Sequence, residues 1–209
     1  DSRFRFLAPS GLTDSQVSLS SSSGVSFSLS LLNGDQGLNA LIGQEQGSAP
    51  VLDLSTFAPS EIVSGSLVLA READLDSITG FYRSLDVQGS VLAADGVTVF
   101  RPGEAGYAAA ALRADNLVRE LGNLQVADDQ TSTRAVSLSG STFLAPFARV
   151  NGDTFFAFGA ANSGGISHFR TLGTNMFGFE DTKGGGDLDF DDLIIGFSFT
   201  SLSNTSLLA

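Results

Sequence analysis

Short runs in which apolar side chains alternate with small polar ones recur along this chain of 209 residues, and they are separated by Gly, Asn and Asp. Val25, Phe27, Leu29 and Leu31 alternate with serines near the start. A period of two puts successive side chains on opposite faces of a strand, so this pattern constrains the fold to half-buried sheets. Further strand candidates lie at 51–57, 62–70, 80–85, 97–100, 124–127, 134–138, 142–150, 154–158, 168–172 and 193–200. The runs Asn33-Gly34-Asp35, Asp95-Gly96 and Asn151-Gly152-Asp153 are turn or hairpin signals. One stretch departs from the pattern. Residues 104–121 are rich in Ala and Leu and are followed by Gly122, which predicts a single short surface helix with a glycine stop. The expected fold is all-β, an antiparallel β-sandwich of jelly-roll-like type carrying that one helix.

There are 17 Phe against 2 Tyr and no Trp, and Phe, lacking a polar handle, is core material. No fixed-period repeat is present, which argues against a solenoid. Two segments are expected. Residues 1–70 form an N-terminal β segment, supplying strands to the same sandwich or a strand exchanged with a neighbour. Residues 71–209 form a cation-binding β-sandwich domain. The Ser-rich stretch from Ser18 to Ser23 is the best boundary the composition offers.

The net charge of −12 repels nucleic acid and anionic membranes, and it attracts cations. With no cysteine, disulfides, thiol catalysis and thiolate metal sites are excluded. No apolar run reaches the roughly 18 to 20 residues of a membrane helix. No leader is visible at Asp1, which suits a mature exported chain.

The charge is concentrated. Residues 180–192 hold Glu180, Asp181, Asp187, Asp189, Asp191 and Asp192 against Lys183 alone, a net −5 in thirteen residues. Calcium takes six to eight oxygen ligands and favours such a carboxylate-rich loop. Gly184, Gly185 and Gly186 tolerate the positive φ that a tight wrap needs. An extended Asp187–Asp191 run would point Asp187, Asp189 and Asp191 the same way, leaving Leu188 and Phe190 as anchors. On this reading those three aspartates are the primary calcium ligands, and Glu180, Asp181 or Asp192 completes the shell. The loop is no EF-hand, since the sixth position from Asp187 is Asp192 rather than Gly and the twelfth is Ser198 rather than Glu. Magnesium demands tighter octahedral geometry, and zinc prefers His or Cys. The bland alternative is a solvated acidic turn held by Lys183.

The run from Phe179-Glu180-Asp181 to Gly184-Gly185-Gly186-Asp187 and on through Asp189-Phe190-Asp191-Asp192 resembles the signature of the bacterial, mainly cyanobacterial, domain of unknown function family 4114. Gly80-Phe81-Tyr82-Arg83, Arg101-Pro102-Gly103-Glu104-Ala105-Gly106-Tyr107 and Phe155-Phe156-Ala157-Phe158 stretch the resemblance over about residues 75–199. The resemblance implies an extracellular, calcium-associated β-sandwich and no particular activity.

Other candidates are weaker. His168, the only histidine, has no Gly-x-Ser-x-Gly elbow to serve and is expected to be structural. A glycosidase would use paired carboxylates such as Glu180, Asp187 and Asp189, but only Tyr82 and Tyr107 join the phenylalanines as stacking aromatics. The glycine triplet lacks the Lys-Ser/Thr of a phosphate loop. The arginines are scattered and read as surface ion pairing. The sequence therefore points to a non-enzymatic, calcium-binding structural or adhesive module of the bacterial cell surface or matrix. The alternatives are a filament subunit polymerising with itself by strand exchange, and a module or hydrolase acting on surface glycans. No nucleic acid or membrane insertion is expected.

Overall fold

The computed structural model describes residues 16–20, 26–30, 38–39, 42, 49–73 and 75–204, with 16–20 and 26–30 as backbone only. The segment Phe4 to Leu7, the turn Asn33-Gly34-Asp35 and most of residues 39–50 lie outside the described residues. Leu38, Asn39 and Ile42 are helical.

The described strands are β1 (Gln16–Ser20), β2 (Ser26–Ser30), β3 (Leu52–Asp53), β4 (Glu61–Arg71), β5 (Ser77–Ser84), β6 (Val91–Leu92), β7 (Val99–Phe100), β8 (Gln130–Ser139), β9 (Phe143–Val150), β10 (Asp153–Phe156), β11 (Phe169–Gly173), β12 (Met176–Phe179) and β13 (Leu193–Asn204). All pairings are antiparallel. The larger sheet runs β11-β12-β13-β4-β8. The smaller is built on β9, which pairs β5 along one edge and β10 and β3 along the other. Pro146 sits where that second edge passes from β10 to β3, so its missing N–H interrupts no ladder; its carbonyl still accepts from Ala157 N–H at 3.1 Å. Strands β1 and β2 pair with each other in a separate hairpin.

The two sheets face each other across one apolar core, as a sandwich requires. Val63, Leu67, Leu193, Ile195, Phe197 and Phe199 of the large sheet meet Leu52, Phe81, Leu144, Ala148 and Phe155 of the small one. Phe81 bridges the layers, its ring 5.6 Å from Phe197 and 6.3 Å from Phe177. Each such fully buried aromatic contributes about 2–3 kcal/mol. This is the use the excess of Phe predicts.

The outer face of the small sheet is covered as well. Tyr82, Ala145, Phe147 and Phe156 pack there against Tyr107, Ala110 and Ala111. The Tyr82 and Tyr107 hydroxyls pair at 2.8 Å, and Tyr107 donates onward to the Gly89 carbonyl at 2.9 Å. Burial raises the pKa of both phenols, so both stay neutral. Neither ring is a surface platform for a sugar.

The helix departs from expectation. It runs only over Tyr107–Ala111, and it is a packed layer element with Tyr107, Ala110 and Ala111 buried rather than a surface helix. The rest of the Ala/Leu-rich stretch is captured by the free edge of β5. Arg83 N–H donates to Asn116 at 3.0 Å, Val118 N–H to Phe81 at 2.9 Å, and Thr79 and Leu124 exchange bonds at 3.0 and 2.7 Å. Those bonds satisfy a sheet edge that a continued helix would leave open, so tertiary pairing overrides helix propensity.

Candidate metal centre

The acidic loop is a hairpin connection. Strands β12 and β13 pair antiparallel, with Phe179 opposite Leu193, so residues 180–192 leave and re-enter the large sheet at one point. Glu180, Asp181 and Asp192 form the neck of that loop, and Asp187, Asp189 and Asp191 lie farther out.

The neck is clamped by backbone. Glu180 N–H donates to the His168 carbonyl at 2.9 Å, and His168 Nδ1 donates back to the Glu180 carbonyl at 2.8 Å. His168 is buried and stacks on Phe155, with centroids 4.1 Å apart. It therefore positions Glu180, the structural use expected of it. Asp181 N–H donates to Asp192 Oδ2 at 2.8 Å, closing the neck from the other side.

Sequence periodicity misleads inside the loop. Leu188 and Phe190 both have positive φ, 62° and 65°, so the Asp187–Asp191 run is not extended and its side chains do not alternate. Phe190 alone is an anchor, 2% exposed, while Leu188 is 48% exposed. Phe190 lies over Gly178 of β12, and the Arg170 guanidinium stands 4.1 Å from its ring centroid. That cation–π contact adds about 0.5–1 kcal/mol.

Two groups of carboxylates result. In the inner one, oxygens of Glu180, Asp181 and Asp192 all lie within 4.8 Å of one another; in the outer one, those of Glu180, Asp187 and Asp189 do so. Asp191 joins neither, and its amide donates to Asp189 Oδ1 at 3.3 Å. Glu180, placed at the edge of the set by sequence reasoning, belongs to both. The signal for its role is its position directly after a strand of alternating phenylalanines, which a reading focused on Asp spacing passes over.

Glu180 is 2% exposed. Its Oε1 accepts from Thr182 N–H at 3.3 Å and its Oε2 from Leu188 N–H at 3.1 Å. Gly186 has φ 44°, and a Cβ there would stand 2.9 Å from the Glu180 carboxyl carbon and closer still to Oε1. A glycine is therefore required for the loop to fold over that carboxylate. Burial pushes Glu180 up to about 7 against the pull of the two amides, and the charges of Asp192 and Asp187 push the same way. Burial also raises Asp181 and Asp192, while Asp191 is raised chiefly by its contact with Asp189. Asp181 is 4% exposed, and its Oδ2 is buried with no hydrogen-bond partner.

Local cations do not balance these charges. Lys183 turns away to Asp153, 3.0 Å from its Oδ1. Arg71 eases Asp181 electrostatically but is bonded to the Ala73 and Leu75 carbonyls at 3.0 and 2.9 Å and paired with Asp76 at 3.3 Å. The donor set is all oxygen, with the one nearby histidine turned to a backbone carbonyl. This chemistry fits calcium better than zinc.

No curated protein and no solved structure matches the chain. Residues 112–200, which contain β8 to β12, the whole acidic loop and most of β13, match the family model described as Domain of unknown function (DUF4114), the family that the acidic motif resembles.

Proposed function

We propose that this protein is a calcium-binding structural or adhesive module of the bacterial cell surface or extracellular matrix. The carrying observation is Asp181. A carboxylate oxygen with no partner is buried beside two further carboxylates at the neck of a loop, and leaving it so costs free energy that a bound cation would remove. Glu180, Asp181 and Asp192 would hold the ion. Its charge would tie the end of β12 to the start of β13, next to β4 in the middle of the large sheet. The ion would thus act as a structural tie on the sandwich. An affinity typical of extracellular modules, about 10⁻⁴ to 10⁻³ M, suits millimolar external calcium.

Strand exchange is supported by a separate observation. β8 is ten residues long and, among the described residues, pairs only with β4, leaving one edge for strand addition by another copy. The glycan reading has no such support, since Tyr82 and Tyr107 are both buried.

A calorimetric calcium titration of the metal-stripped chain tests the calcium reading. The wild type is expected to bind, and Asp181→Asn to bind at least tenfold more weakly. Without calcium, Asp181→Asn should unfold at the same temperature as the wild type or higher, because it removes a buried charge. No binding by the wild type, or equal binding by the variant, would overturn the assignment.

A further inference from the structure

The large sheet ends in two outer strands of different character. β11 is five residues long, and its register with β12 shifts between Thr171 and Gly173, which blunts it against further pairing. In the other sheet, the outer edge of β5 is closed by the chain's own Asn116, Val118 and Leu124. β8 has neither protection. It runs ten residues in unbroken register with β4 and contains no Gly, Pro, Lys, Asp or Glu. Its one charge is Arg134, whose guanidinium is drawn to the Glu120 carbonyl at 2.8 Å. The backbone of β8 faces both ways. Gly140 N–H donates to the Glu61 carbonyl at 2.9 Å in the same register, and backbone direction alternates along a strand, so the even-numbered residues of β8 bond to β4. Thr131, Thr133, Ala135, Ser137 and Ser139 therefore direct their N–H and C=O groups away from β4, and among the described residues nothing meets them.

We infer that β8 pairs antiparallel with β8 of a second copy about a two-fold axis at Ala135, joining the two large sheets edge to edge. The pairing rests on the strand-addition reading and deepens it, because it names the strand that adds and closes the assembly at two copies. Self-complementarity selects this occupant. With Ala135 opposite its own copy, Thr131 meets Ser139 and Thr133 meets Ser137, so all five outward residues of each strand find a partner. Those facing pairs are small hydroxyl residues, which hydrogen-bond across strands. Arg134 then faces Val136. Slipping the register one way sets Arg134 against Arg134, a like-charge contact, and leaves Ser139 unpaired; slipping it the other way leaves Thr131 unpaired. A single strand pair is a small contact, so the dimer is weak and concentration-dependent. Physiological salt screens the mutual repulsion of two chains of net charge −12.

Analytical ultracentrifugation of the full chain over a concentration series in physiological salt reads the assembly. A monomer–dimer equilibrium with nothing larger is expected. Ala135→Pro removes an N–H that β4 does not use, at an edge position that tolerates proline, and is expected to weaken the dimer about tenfold or more while the circular dichroism of the monomer stays unchanged. Single cysteines in this cysteine-free chain fix the register. Facing residues of a hydrogen-bonded pair stand about 5.5 Å apart at Cα, within disulfide reach. Ala135→Cys should therefore oxidise to a covalent dimer. Thr133→Cys alone should not, whereas Thr133→Cys mixed with Ser137→Cys should. A wild type that grows into open polymers overturns the closed pairing and leaves strand addition standing, whereas a wild type monomeric at every concentration defeats both. Equal cross-linking of Ala135→Cys and Thr133→Cys, or a dimer untouched by Ala135→Pro, would overturn the assignment of β8 and its register.

Discussion

Stripped of metal, the protein is expected to lose about 3 kcal/mol of stability as the pH rises from 4 to 8, and calcium at about 100 times its dissociation constant should restore most of it. The sign follows from Glu180. Burial pushes its carboxyl up to about 7 in the folded chain, above the ordinary glutamate value of 4.5. The folded state therefore binds a proton more tightly than the unfolded one. The contribution is fully present below about pH 4.5 and disappears as the pH passes through about 7. Asp181 and Asp192 are raised as well and act in the same direction. A calcium ion takes the place of those protons, so the metal-loaded protein should show a flat profile over the same window. Calcium affinity should rise with pH for the same reason. Chemical denaturation at a series of pH values, with chelator or with calcium, reads both curves. A chelated protein equally stable at pH 5 and pH 8 would contradict the account.

Gly178→Ala is expected to cost about 2–3 kcal/mol and to weaken calcium binding at the same time. Gly178 pairs with Arg170 on one side and Ile194 on the other, in the middle of a three-strand run. A Cβ there would overlap the Phe190 carbonyl oxygen and stand 2.9 Å from Leu172 Cδ1 and 3.0 Å from Phe190 Cβ. Two of these three contacts are with the loop's own anchor. The methyl group must lift Phe190 off the sheet, away from Arg170, and the acids on either side of Phe190 move with it. Gly196→Ala is the control. It lies one strand away in β13, and its Cβ would meet nothing within 4 Å. That variant should be close to neutral in stability and unchanged in calcium affinity. Equal losses in both variants would mean that sheet propensity, and not the seat of Phe190, sets the cost.

Much of the sandwich was legible from the burial of its strands. The segment 62–70 becomes β4 and 193–200 the start of β13, while the apolar run within 142–150 becomes β9, which is covered on both faces. The Asn151-Gly152 turn joins β9 to β10 with both residues at positive φ, as an Asn-Gly hairpin demands. The failures have physical causes. The Ala/Leu-rich stretch obeys helix propensity only as far as Ala111, beyond which the open edge of β5 claims it. The run at 124–127 was expected to be a strand, and only Leu124 bridges to Thr79. Strand β12 was missed because Met176-Phe177-Gly178-Phe179 is short and its glycine reads as a break, when Gly178 is in fact the seat of Phe190. In the acidic loop the row of acids was legible, and which of them lie together in space was not: Asp191, expected beside Asp187 and Asp189, joins neither group. Period-two reasoning holds for extended backbone, and the left-handed turns at Leu188 and Phe190 remove its premise. Burial, which separates Glu180 and Asp181 from the exposed aspartates, has no local signature in a row of six acids.

The central claim is that the neck of this loop is a structural calcium seat. The most direct test follows the unfolding midpoint of the metal-stripped wild type at pH 7.5 as free calcium is raised, with magnesium in a parallel series. The account predicts a midpoint that climbs with calcium, reaching a gain of ~2.7 kcal/mol at 100 times the dissociation constant, and a smaller response to magnesium. A midpoint indifferent to calcium up to tens of millimolar would contradict it, and the buried carboxylates would then have to be read as protonated groups of the native fold.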